Sequence, residues 1–250
     1  MTIAAARMLK GGTVCFVGIG LPSGAANLAR LTHAPDVVLI YESGTIGAKP
    51  AVLPLSIGDG ELAESADTVV SVPEVFRYWL QAGRVDVGFL GAAQIDKFGN
   101  INTTTIGGSY GKPKVRLPGA GGAPEIATAA KQVNIILKQS RRNFVEKLDF
   151  VTSSGIYEEG SGRASKRGRG PTTVITDLGI MSSTPESREL VLQSVHPGVT
   201  VEQVKEATGW NLKVADEMKQ TPAPTGQELA ALRELHARTA AAHGTVATSE

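Results

Sequence analysis

Val37-Val38-Leu39-Ile40-Tyr41-Glu42-Ser43-Gly44 is the stretch on which the fold turns. Five consecutive β-prone residues read as a strand buried on both faces, the kind found in parallel sheets packed between helices. The run ends at once in a carboxylate and a Ser-Gly turn, which places Glu42 at the carboxyl end of that strand. Open α/β sheets bind their ligands at this end. A charge is costly there unless it is paired or used. Glu42 is therefore a candidate reactive carboxylate.

The same pattern continues on both sides. Residues 2–10 have helical composition and stop at Gly11-Gly12, as helix C-termini often do. Residues 13–17 read as a short apolar strand, and Pro22 opens a small-residue helix to about Leu31, Pro being allowed in a first turn. Ser71-Val72-Pro73-Glu74 matches a capping box and starts a helix through Leu80. Residues 85–90, 101–106 and 133–137 read as strands, and 123–130 as a helix. Continuously apolar strands separated by helices predict an α/β fold, a mainly parallel sheet flanked by helices. Short strands at 172–176, 179–181 and 189–195 give the C-terminal part an antiparallel character. Thr200-x-x-Gln203 and Thr225-x-x-Glu228 start the last helices, with residues 225–250 as helix and tail. Residues 154–170, rich in Gly, Ser and basic side chains, read as a mobile loop inside a single domain spanning 1–250.

Composition narrows the function classes. A chain of 250 residues with 42% hydrophobic and 20% charged content is an ordinary globular one. Its net charge of +1 gives no reason to expect nucleic acid or an anionic membrane as partner. One cysteine, Cys15, excludes a disulfide within the chain. No apolar run reaches the roughly 20 residues that span a bilayer. The start, Met1-Thr2-Ile3-Ala4-Ala5-Ala6-Arg7, lacks the features of a signal peptide, so the expected location is cytoplasmic.

Four features can carry chemistry. Gly18-Ile19-Gly20-Leu21-Pro22-Ser23-Gly24 lies between a strand and a helix, where backbone N–H groups can meet ligand oxygens; the alternative is a tight turn without a ligand. Glu42 can act as a general base, a metal ligand or a covalent nucleophile, or simply cap the next helix or pair with Lys49. Metal binding lacks support, because no His/Cys/carboxylate cluster has ligand spacing. Pro118-Gly119-Ala120-Gly121-Gly122-Ala123-Pro124 permits an anion nest or oxyanion hole before a helix. In the run from Gly91 to Asn102, Asp96 and Asn100 are turn residues, and Gln94 is the candidate contact to a polar ligand. His196 reads as a turn residue, and the basic cluster Arg163, Lys166, Arg167, Arg169 as either a phosphate contact or a solvated loop.

Taken together, Gly-Ile-Gly-Leu-Pro, Tyr-Glu42-Ser-Gly-x-Ile-Gly-Ala, Gly-Ala-Ala-Gln-Ile-Asp-x-Phe-Gly-Asn-Ile-Asn and Gly-Ala-Gly-Gly-Ala resemble the β subunits of class I coenzyme A transferases. The resemblance covers nearly the whole chain and weakens over 154–170. It implies a fold shared with ribose-5-phosphate isomerase-like proteins. It implies Glu42 as the catalytic glutamate, with Gly18, Ile19, Gly20, Leu21 and Gly119, Gly121, Gly122, Ala123 around the thioester. It further implies an α-subunit partner in an (αβ)2 assembly, and no cofactor beyond the CoA thioester substrate. CoA would pass from an acyl-CoA such as succinyl-CoA to a dicarboxylate such as 3-oxoadipate or glutaconate. A CoA-dependent hydrolase and a non-catalytic effector-binding domain are the competing readings.

Overall fold

The computed structural model describes residues 1–155, 171–183 and 189–244. Most of the expected loop at 154–170, its basic cluster and the tail beyond Gly244 lie outside these residues. The chain groups into two compact units, one of Thr2–Phe76 with Pro224 onward, the other of Met1 and Arg77–Ala223.

The first unit contains α1 (Thr2–Ala6), β1 (Val14–Val17), α2 (Leu21–Leu31), β2 (Val38–Ile40), β3 (Thr45–Ile46), α3 (Gly60–Glu64), β4 (Thr68–Val69) and α4 (Val72–Glu74). The chain then enters a π-helical stretch, Val75–Leu80. Strands β1 to β4 lie side by side in chain order. β1 and β2 run parallel, with Val14 opposite Val38 and Phe16 opposite Ile40, and β3 and β4 follow antiparallel. Phe16, Leu28, Leu39, Ile40 and Tyr41 are fully buried here, each such side chain stabilising the core by about 1.5–3 kcal/mol. Every residue of α2 from Pro22 to Ala29 is buried, which its Ser-Gly-Ala-Ala sequence permits by keeping the helix thin. The C-terminal helix, Gly226–His243, starts at the expected Thr225–Glu228 box. It is held to the unit by Thr239 Oγ1, which accepts from Leu53 N–H at 2.9 Å. Arg7 also grips Glu228 through Nε and Nη2, both at 2.6 Å.

The second unit contains β5 (Val87–Leu90), β6 (Gln94–Ile95), β7 (Ile101–Asn102), β8 (Thr105–Ser109), β9 (Lys112–Arg116), α5 (Ala123–Ala129), β10 (Gln132–Ile136), β11 (Pro171–Ile175), β12 (Gly179–Ser183), β13 (Leu190–Val195), α6 (Val201–Glu206) and β14 (Lys213–Gln220). Its main strands are ordered β14-β13-β12-β11-β10-β5, while β6–β7 and β8–β9 form two small sheets. β5, β10 and β11 are parallel, as the apolar runs predict, and β11–β12–β13 is the antiparallel part. Gly88 interrupts the apolar β5 because α5 presses against it: a Cβ there would overlap Ile126.

Three elements differ from the sequence expectation. The helix at residues 2–10 ends at Ala6. The strand at 101–106 breaks after Asn102, whose Oδ1 accepts from the N–H groups of Thr104 and Thr105 at 2.9 and 3.3 Å. This local bond turns the backbone out of the ladder. β14 was not expected, since Lys-Val-Ala-Asp-Glu-Met-Lys-Gln is mostly helix formers. Parallel pairing with β13 overrides that local preference.

Candidate active site

β2 and β3 are joined by a hairpin whose loop is Glu42-Ser43-Gly44. Gly44 N–H donates to Tyr41 C=O, and Tyr41 N–H to Thr45 C=O, each at 3.0 Å. A hairpin closed this way needs a left-handed residue at its third loop position, and Gly44 has φ 102°. A Cβ at Gly44 would also overlap the carbonyl oxygen of Val70, whose N–H donates to Gly44 C=O at 3.0 Å. Tyr41 is wholly buried. Its hydroxyl lies 3.0 Å from Ser23 Oγ and accepts from Asn27 Nδ2 at 3.1 Å. Burial is the main cause that pushes the Tyr41 phenol above its ordinary pKa, so it stays neutral. Both ends of the loop are thus fixed, and half-buried Glu42 projects from a rigid support. Lys49, the alternative partner considered for Glu42, pairs with Asp67 at 2.5 Å. The element after Glu42 is a strand rather than a helix that it could cap.

The parallel register sets the neighbourhood of this carboxylate. Phe16 is opposite Ile40, so Gly18 and Glu42 each leave their strand two residues later, at the same edge. Neighbouring strands are about 4.8 Å apart. The register therefore places Gly18, where the turn of Gly18, Ile19, Gly20 and Leu21 begins, next to the strand end that carries Glu42. Gly20 caps α2 with φ 83° and ψ −130°, and no side chain satisfies that end. Pro22 has no N–H, which leaves Leu21 and Ser23 as the unspent amides of the first turn. They carry the positive end of the helix dipole.

Two residues that the sequence reading did not single out belong here. Ser43 Oγ and Thr45 Oγ1 are shielded from solvent and have no hydrogen-bond partner. Leaving such a group unpaired costs about 1–3 kcal/mol. Their position in Glu-Ser-Gly-Thr was the only available signal.

In the second unit, the loop at residues 118–123 is left-handed at Gly119 (φ 106°) and Gly121 (φ 48°). Gly119 N–H is spent on Thr103 C=O at 2.8 Å, and Ala123 N–H on Ala120 C=O at 3.0 Å. The amides of Gly119 and Ala123 therefore shape the loop itself. Gly122 caps α5 without help from a side chain. Gln94 does not behave as a ligand contact. It is buried, its Nε2 donates to Asp149 Oδ2 at 2.7 Å, and its Oε1 accepts from Asn102 Nδ2 at 2.8 Å. Its amide is consumed in tying β6 to β7. Asp96 and Asn100 are turn residues as predicted: Asp96 Oδ1 accepts from Phe98 and Asn100 N–H at 2.9 and 3.0 Å.

His196 also has a structural role. Its Nε2 meets Thr176 C=O at 2.8 Å, an atom that can only accept, so Nε2 carries the proton and Nδ1 accepts from Thr221 Oγ1 at 2.7 Å. Burial, the largest cause, lowers its pKa and keeps it neutral. Among the described residues no group of three or more His, Cys, Asp or Glu could hold a metal ion. No helix among them is long and apolar enough to cross a membrane.

A half-buried carboxylate beside a glycine turn, at the carboxyl edge of parallel strands, is the arrangement the chain presents. The chain belongs to the coenzyme A transferase family, which matches residues 1–207. Among individual relatives, it is 69% identical over 246 residues to the β subunit of 3-oxoadipate CoA-transferase from Pseudomonas knackmussii, covering 98% of this chain and 94% of that one. The crystal structure of glutaconate coenzyme A-transferase from Acidaminococcus fermentans superposes with a TM-score of 0.85 at 33% identity, covering 93% and 91%. The cholesterol ring-cleaving hydrolase IpdB subunit of Mycobacterium tuberculosis is 28% identical over 225 residues, covering 85% and 82%.

Proposed function

We propose that this chain is the glutamate-bearing β subunit of a CoA-transferase, moving CoA from succinyl-CoA or a similar donor to a dicarboxylate, with Glu42 as the nucleophile. The observation that carries the reading is the rigid hairpin presenting Glu42 at the sheet edge beside residues 18–21. The 69% identical relative favours 3-oxoadipate as the acceptor, and the 33% identical structure makes glutaconate the second choice.

A Glu42 carboxylate oxygen attacks the thioester carbonyl, the C–S bond breaks, and CoA leaves as thiolate. The product is a mixed anhydride between Glu42 and the donor acid. The thiolate then attacks the Glu42 γ-carbonyl, the C–O bond breaks, and the donor acid departs, leaving a γ-glutamyl-CoA thioester. The acceptor carboxylate repeats these steps in reverse and leaves as its CoA ester, restoring Glu42. No net proton, electron or metal is needed, because each step exchanges one acyl bond for another. Each addition builds an oxyanion, for which amides of residues 18–21 are the proposed donors. One such donor is worth roughly 3–4 kcal/mol. Water must be kept out, since it hydrolyses the intermediates. An α subunit in an (αβ)2 assembly closes the site in this reading, in the cytoplasm and without a resident cofactor.

The alternative is a CoA-dependent hydrolase on the same scaffold, read here as release of free CoA without an acceptor. Incubating the co-expressed subunits with succinyl-CoA, then weighing this chain intact, separates the two. Transfer predicts a CoA adduct that maps to Glu42, is absent in Glu42→Ala, and is discharged by 3-oxoadipate. Steady release of free CoA, with no adduct and no acceptor product, would assign hydrolysis instead.

A further inference from the structure

We propose that the tip of the β8–β9 ribbon binds the phosphate groups of coenzyme A, an assignment that rests on the transferase reading above. From Ile101 to Pro124 the sequence holds no acidic residue, yet β9 carries Lys112, Lys114 and Arg116 at alternate positions. Alternation in a strand puts all three on one face. Opposite them on β8 stand Ser109, facing Lys112, and Thr105, facing Arg116. Gly107 lies between, with φ 62°, and a Cβ there would come within 2.9 Å of the Lys114 side chain. The missing side chain lets the Lys114 stem lie flat along the ribbon.

Arg116 does not extend away from its strand. Its Nη2 donates to Tyr110 C=O, in the turn, at 2.7 Å. Its guanidinium sits 4.9 Å from the centre of the Tyr110 ring, and that ring is itself stacked on Phe150 at 5.6 Å. The guanidinium is thereby held at the same end of the ribbon as Lys112, with donors to spare. All three cations are exposed, and among the described residues none forms an ion pair. Three like charges gathered without a counter-charge favour an anion, and a guanidinium already fixed in place loses little freedom on binding one.

The ribbon is also joined to the glycine loop proposed for the thioester. Leu117 N–H donates to Thr104 C=O at 3.0 Å, Gly119 N–H to Thr103 C=O at 2.8 Å, and Thr103 Oγ1 to Gly119 C=O at 2.7 Å. A ligand with an acyl thioester at one end and several phosphates at the other matches this sequence of loop and cationic tip. Coenzyme A, with its diphosphate and 3′-phosphate, is such a ligand.

The test compares calorimetric binding of CoA and of pantetheine, which lacks the phosphates, to the co-expressed subunits. Wild type and the exposed double substitution Lys112→Ala/Lys114→Ala are measured at low and high salt. Losing two exposed charge contacts predicts a loss of roughly two- to thirty-fold in CoA affinity. Pantetheine binding is expected to stay constant, and the salt dependence of CoA binding to become shallower. Equal losses for both ligands, no loss for CoA, or dissociation of the two subunits would overturn the proposal, the last by making the tip a subunit contact. Binding is read without turnover. Tip-dependent CoA binding in a complex that transfers nothing would sink the transfer reading and keep the tip. Transfer with tip-independent binding would do the reverse.

Discussion

Tyr41 and Gly44 fix the two ends of the loop from which Glu42 projects, one by a buried hydrogen-bond pair on α2 and the other by a backbone angle closed to side chains. Holding a non-glycine residue in the left-handed region costs of the order of 1–3 kcal/mol, and at position 44 the overlap with Val70 adds to it. Gly44→Ala is therefore expected to lower the denaturation midpoint clearly and to remove transfer. Tyr41→Phe, which only leaves Asn27 and Ser23 one partner short, should cost about 1–2 kcal/mol. Urea titrations of the three proteins check this; a Gly44→Ala protein as stable as wild type would refute the hairpin account. The strand-end position of Glu42 was legible because strand, carboxylate and glycine are adjacent in sequence. Gln94 was misread because the acid that consumes its amide, Asp149, is 55 positions away. Nothing local in Ala-Ala-Gln-Ile-Asp reports that partner.

At the scale of elements, the Arg7–Glu228 pair joins α1 to the start of the C-terminal helix across 221 positions. The Arg7 hydrogen bonds, followed by those of Thr225, hold the Glu228 carboxyl down from 4.5 to about 2. A carboxyl depressed on folding adds stability that is complete above its unfolded value near 4.5 and is lost as pH falls towards 2. Glu228→Gln should accordingly be less stable than wild type near neutral pH, with the gap closing between about pH 4.5 and 2. Denaturation midpoints across that range test it, and a gap independent of pH would exclude the ion pair as its source. The capping boxes Ser71–Glu74, Thr200–Gln203 and Thr225–Glu228 were readable because a helix start is written within four residues. The ribbon and β14 were not. Gly107 and Gly108 in β8 adopt positive φ, which no strand propensity anticipates. β14 exists only through its pairing with β13.

For the whole molecule, the glycine turn and Glu42 lie in one compact unit and the second glycine loop in the other. Four short motifs, each weak alone, identified the family because their order and spacing are jointly rare. The partition into units was not visible, since no linker composition marks Phe76 or Pro224. The first unit leaves Leu55, Val69 and Val72 about half exposed, apolar area of the kind that partners cover. We expect the purified chain alone to show no exchange between succinyl-CoA and 3-oxoadipate, and added α subunit to restore it; equal turnover by the lone chain would contradict the two-subunit reading. The hairpin has one more consequence. Gly44 admits no substitute, but positions 42 and 43 carry no such restriction, so the support and the tool it holds can change independently. One or two codons can then alter what the loop presents while the architecture is inherited intact.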